Sequence, residues 1–180
     1  IGANFGDHRL VLSHMNDQHR GIRTVREEFT ATDNPRLTLA RQAPTYRETS
    51  LSNTNLEWTA RNLGFVEKLD ANAYIMKNER YSAYDSKNGY AGNLPGPNTT
   101  VIETKGANFN LDSRIGENTL IKYGVNYRHQ EIKPPVFFSA ALSNPKKSDA
   151  GIYAEAIHDI GDFTLTGGLR YDHFDIKTHD

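Results

Sequence analysis

Arg20, Arg23 and Arg26 stand three residues apart in one short run. A guanidinium offers forked donors that grip an anion and a flat cationic face that stacks on rings. Lys77, Arg80, Tyr81, Tyr84 and Tyr90 gather the same two chemistries in a second stretch. The plain alternative for both groups is pairing with neighbouring carboxylates such as Glu27, Glu28 and Glu79. His14, His19, His129 and Tyr127 are of types that ligate iron. His14 and His19 are five apart, however, so a regular strand points them to opposite faces. The more ordinary role for each is a solvated surface residue. No Cys is present, which removes thiolate metal sites, disulfides and a cysteine nucleophile. No nucleophile elbow, phosphate-binding glycine loop, HExxH run or convergent carboxylate pair occurs. An enzyme is therefore not expected, no metal site is assigned, and no cofactor is implied.

The elements that must position these residues alternate with period two. Ile121, Tyr123, Val125 and Tyr127 share one parity, and Lys122, Gly124, Asn126 and Arg128 the other. Ala107, Phe109 and Leu111 alternate in the same way with Asn108, Asn110 and Asp112. So do Leu56, Trp58 and Ala60 with Glu57, Thr59 and Arg61, and Leu69, Ala71, Ala73 and Ile75 with Lys68, Asp70, Asn72 and Tyr74. Ile152, Ala154 and Ala156 lead through Asp159–Asp162 to Phe163, Leu165, Leu169 and Tyr171. An earlier strand, about 8–23, has blurred parity: Leu10 and Leu12 fall on one face, Val11 and Met15 on the other. A bulge is one explanation, left open by the sequence alone.

Short turns are expected near residues 6, 63, 116 and 161. Long connections at about 25–46, 83–99 and 133–148 alternate with them. Such a meander puts every short turn at one end and every long loop at the other, as membrane barrels do. The reading is an all-β, antiparallel up-and-down transmembrane β-barrel wall of about seven strands, with short periplasmic turns and long extracellular loops. The charged parity (Glu57, Arg61, Lys68, Asp70, Asp112, Arg114, Lys122, Arg128, Glu155, Arg170 and Asp172) would face a wet or plugged lumen. Trp58, Tyr123, Tyr127, Phe163 and Tyr171 would face lipid, those nearest strand ends forming girdles. The competing reading is a soluble antiparallel sheet, solvated on one face.

Composition is compatible with either reading. The 180 residues are 37% hydrophobic and 24% charged, with a net charge of -1. That balance gives no reason to expect nucleic acid. No apolar run approaches a membrane helix, but strands that cross lipid need only alternate apolar residues. The chain opens at Ile1, without Met or a leader-like segment, and closes in a strand-like run. It is expected to be an internal fragment that would not fold alone, because its edge strands would be unpaired.

The hairpin of Asp149–Ala156 and Phe163–Asp172 contains Gly151-Ile152-Tyr153-Ala154-Glu155 and Leu165-Thr166-Gly167-Gly168-Leu169-Arg170-Tyr171-Asp172. It resembles a hairpin recurrent in TonB-dependent outer-membrane receptors. The runs Leu12–Phe29, Leu63–Tyr74 and Lys122–Pro134 are similar to the FetA/FrpB type of ferric-enterobactin receptor, and the likeness covers essentially the whole chain. The resemblance implies a 22-stranded barrel in a Gram-negative outer membrane, closed by an N-terminal plug, that imports ferric siderophore. Residues 1–180 would be a partial barrel domain, with plug and C-terminal strands outside it. Implied partners are the TonB–ExbB–ExbD complex, acting through that plug, the siderophore itself, and outer-membrane lipid and lipopolysaccharide. For an anionic catecholate, the implied contacts are Arg20, Arg23, Arg26, Lys77, Arg80, Tyr81, Tyr84 and Tyr90. The connection at 133–148 is brief where this receptor type has a variable surface loop, so no ligand role carries over to it. Alternatives are a receptor for heme or another iron complex, or a passive porin or surface adhesin.

Overall fold

The computed structural model describes residues 1–21, 46–83, 98–134 and 143–179. They form one eight-stranded antiparallel sheet in which every strand pairs with its chain neighbour. The strands are β1 (Gly2–Phe5), β2 (His8–Gly21), β3 (Tyr46–Leu63), β4 (Val66–Ala83), β5 (Asn98–Ile115), β6 (Thr119–Lys133), β7 (Ser143–Ile160) and β8 (Phe163–His179). This is the up-and-down order expected, open at the β1 and β8 edges. Eight strands form rather than seven because Gly2–Phe5 folds back on His8–Val11 as a short ladder of its own. From β2 onward the strands run 14–18 residues. A tilted span of lipid needs only ~9–11, so the strands project beyond it.

All four short turns carry a glycine in the left-handed region, Gly6, Gly64, Gly116 and Gly161, at φ 55° to 67°. Tight hairpins favour that backbone, which glycine adopts at no steric cost; Asn62, at φ 56°, takes it as well beside the β3–β4 turn.

The ladders fix which side chains share a face. One row of directly opposed residues reads Leu10, Trp58, Ala71, Phe109, Val125, Ile152 and Tyr171. The adjacent row on the other face reads Glu57, Asn72, Asn108, Asn126, Gly151 and Asp172. The apolar side is bare: Val125 is 51% exposed, Ile152 58% and Leu169 85%. Among the described residues only Ala60 and Leu69 are buried and apolar. An apolar face this broad is not left to water by a soluble monomer. The opposite face is charged, so a second sheet cannot cover it as a dry core. Lipid on one side and an aqueous lumen on the other satisfy both faces. The soluble-sheet alternative has no such solution.

Two local expectations change. Strand β2 needs no bulge, since its register with β3 is unbroken from His8↔Ala60 to Gly21↔Arg47. Val11 and Met15 simply face inward, opposite Glu57 and Asn53. The connection after β6 is shorter than 133–148. Lys146, Lys147 and Ser148 already pair with Glu131, Gln130 and His129. The register is irregular between Ser143 and Lys146, around Pro145, where a missing N–H is tolerated. A Pro-Lys-Lys run reads as loop by composition, but its strand partners decide otherwise.

Candidate functional site

The inner wall is built in two storeys. In the lower one, polar side chains satisfy each other along the rows. Asn72 donates to Asn55 (3.1 Å), and Asn108 donates to Asn72 (2.9 Å). Tyr153 Oη donates to Asn110 Oδ1 at 2.9 Å. Arg170 spans Asp172 (2.7 Å) and Asn126 (3.0 Å). Arg128 donates from Nε and Nη2 to Asp149 Oδ2 at 3.0 and 2.8 Å. Such a wall is hydrophilic, charge-balanced and already hydrogen-bonded. It can border water or a polar body without holding a ligand tightly.

In the upper storey, toward the long connections, the two faces exchange character. The inner face takes Met15, Leu51, Met76, Ile102 and Ile132, with Asn53 and Asn78 among them. Neither Asn53 Oδ1 nor Asn78 Oδ1, both buried, accepts a hydrogen bond. Among the described residues, the inner rim carries Asp17, hydrogen-bonded to His19 at 3.0 Å, together with Arg80 and Lys147, whose Nζ stands 5.5 Å from the Phe174 ring centre. The outer face at the same height carries Lys77, Glu79, Lys105, Glu103, Glu131 and Lys146. The switch marks where the strands leave hydrocarbon. Above it the interior is the side with apolar and cationic surface to offer a solute.

The wall divides the sequence-predicted candidates. Arg20 faces outward, bonded to Gln18 (3.1 Å) and Glu48 (3.0 Å). Tyr81 shares that outward row across Glu48. Lys77 is also outward, paired with Glu79 at 2.8 Å. Arg80 alone of the described candidates faces the lumen. Arg23, Arg26, Tyr84 and Tyr90 lie outside the described residues. His14 and His19 fall on opposite faces, as alternation requires, and His14 Nδ1 meets Thr54 Oγ1 at 2.9 Å. Tyr127 and His129 face outward. Among the described residues no three His, Asp or Glu gather as a metal site. Sequence reasoning missed the inner-rim methionines and Lys147. Met15 was visible as broken parity in β2, and Lys147 was hidden by the loop-like composition around Pro145.

Comparison with curated proteins returns no match. Among solved structures, the FrpB iron transporter from Neisseria meningitidis, F3-3 variant, is 63% identical over 99% of this chain, with a TM-score of 0.82. The F5-1 variant is 58% identical over 99%, with a TM-score of 0.83. Its apoprotein form is 55% identical over 99%, with a TM-score of 0.77. This chain spans 30%, 31% and 29% of their lengths respectively. Residues 4–180 match the family described as TonB dependent receptor-like, beta-barrel, and to that family the chain belongs.

Proposed function

We propose that this chain is a wall segment, close to a third of the barrel, of an outer-membrane importer of an anionic iron complex, with a ferric catecholate of the enterobactin type as its cargo. The observation that carries the reading is the divided wall: a lipid face, a hydrogen-bonded aqueous lumen, and an inner rim bearing Arg80 and Lys147. The 63% identity to a protein described as an iron transporter supports it. Arg80 is the cation placed to meet cargo entering the lumen. Arg23, Arg26, Tyr84 and Tyr90, outside the described residues, remain the proposed further contacts by type alone, since guanidinium forks and ring faces suit an anionic, aromatic ligand. Arg20, Lys77 and Tyr81 face away from the lumen and contribute least to that contact. Import against a gradient requires energy, which the plug of the whole receptor would draw from the TonB–ExbB–ExbD complex.

The test is growth of a receptor-deletion strain, complemented with the full-length receptor, on ferric enterobactin or on heme as sole iron source. Rescue by enterobactin that disappears without TonB supports the proposal. Rescue by heme alone, or rescue that persists without TonB, overturns it. In purified full-length receptor, Arg80→Glu should weaken ferric-enterobactin binding by roughly tenfold. Arg20→Glu should leave binding unchanged.

A further inference from the structure

Charge is not spread evenly around the lumen face. On β4 no charged residue faces inward between Asp70 and Arg80, and on β3 none does between Glu57 and Thr49. On β5 none does above Asp112. From Asn72 to Asn78 this neutral stripe is about 20 Å tall, and its three strands make it about 10 Å wide. The same ladder rows become charged on the far side of the arc. The row of Asn53 and Met76 reaches Lys147, that of Asn55 and Tyr74 meets Arg128 and Asp149, and that of Asn72 and Asn108 ends in Asp172.

Within the stripe the amides are bonded to one another. Asn108 donates to Asn72 (2.9 Å), Asn72 to Asn55 (3.1 Å) and Asn55 to Glu57 (2.8 Å). The relief is low as well: Thr104 is 3% exposed, and the Tyr74 ring lies over Gly106. On the other side, the side chains of Arg128 and Arg170 remain 48% and 52% exposed even while paired. A body that stays in the lumen and a solute in transit need opposite things from these walls. Exposed guanidinium groups hold a resident body through charge-assisted hydrogen bonds. A solute in transit needs contacts weak enough to leave, and fixed charges in a narrow passage either trap an ion or exclude it. Amides already satisfied by each other do neither. Arg80 stands at the head of the stripe, two residues above Asn78 on the same strand.

We infer that the plug of the whole receptor is seated against β6–β8, and that the passage for the iron complex opens opposite, along the inner face of β3–β5. Asn72, Tyr74 and Asn108 line that passage below Arg80. The inference rests on the import reading and deepens it by giving the cargo a route.

The test uses single-cysteine variants of the full-length receptor in cells, each checked for folding by heat-modifiability. Asn72→Cys and Asn108→Cys lie on the stripe; Thr166→Cys and Phe174→Cys lie on the inner face of β8. With ferric enterobactin supplied, active TonB should speed labelling of positions 72 and 108 by a bulky water-soluble maleimide roughly fivefold, and that of 166 and 174 by less than about twofold. An anionic methanethiosulfonate attached at position 108 should slow uptake roughly fivefold without changing binding, whereas a neutral methyl reagent should leave uptake near the unmodified rate. Equal acceleration on β8, no acceleration on the stripe while uptake proceeds, or uptake indifferent to the charge at 108 overturns the route and leaves import standing. A wild-type receptor that takes up no ferric enterobactin overturns the import reading, and the route with it.

Discussion

Tyr74 packs over Gly106 on the neighbouring strand of the inner wall, where a Cβ would come within 2.5 Å of the phenol ring. The absence of a side chain at 106 lets the ring lie against backbone and keeps this part of the lumen wall thin. Gly106→Leu must displace Tyr74, an overpacking cost of about 1–3 kcal/mol. It should lower the temperature at which the folded, fast-migrating form of the full-length receptor is lost in heat-modifiability gels. Gly167, on the outward face of β8, has nothing within 4 Å of its would-be Cβ and no positive φ. Gly167→Ala should therefore shift stability by no more than ~0.5 kcal/mol. Equal effects at the two positions would mean that Tyr74 does not set the wall at Gly106. A second contact at this scale is the Arg128–Asp149 pair, whose Asp149 side chain is 12% exposed while Arg128 is 48% exposed. Asp149→Ala leaves the guanidinium without its twin-bonded partner, but water can reach it. The loss should stay near 1 kcal/mol in the same assay.

At the scale of the strand, face assignment predicts how substitutions alternate. Val125 sits mid-band on the lipid side of β6, and Asn126 on the lumen side. Val125→Arg should cost ~2–4 kcal/mol of barrel stability, while Asn126→Arg, entering a wet lumen, should cost far less. Measuring both variants by urea unfolding in lipid vesicles checks the parity directly, and the reverse order would invert the inside and outside of the sheet. Most of this arrangement was legible in the sequence, because lipid and water demand opposite side chains and strict alternation records that demand residue by residue. Strands β3 to β6 carry that record along their lower halves. It fades above the hydrocarbon, where both faces meet water and alternation is no longer enforced. That is why Met15 looked like a bulge, why Pro145-Lys146-Lys147 looked like loop, and why Arg20 and Lys77 could not be told apart from Arg80 by type. Their sides follow only from counting back along the ladder to a row whose face is known.

Across the whole sheet the ladders carry a stagger that sets the barrel's geometry. Each short turn reaches further than the one before. His8, first in β2, pairs with Ala60, three residues short of the end of β3. Ser113, paired with Val66, is two short of the end of β5, and His158, paired with Thr119, is two short of the end of β7. A slide of about one residue per strand is ~3.3 Å set against a strand spacing of ~4.8 Å, which corresponds to a tilt of roughly 35°. The upper edge of the apolar band descends in the same sense, from Ile75 on β4 to Tyr171 on β8, two rows lower on the ladder. Depth in the membrane therefore does not follow the hydrogen-bond rows. Ile75 and Asp175 share a row through Lys105, His129 and Ser148, yet tilt places Ile75 level with Tyr171 and lifts Asp175 into the headgroups. Nitroxide labels at 75, 171 and 175 of the full-length receptor in vesicles separate the two geometries. Tilted strands give labels 75 and 171 matching accessibility to oxygen, with label 175 far more open to a water-soluble nickel complex. Upright strands would make 75 and 175 alike, and an arc with so little tilt could not close into a barrel of the family's proportions.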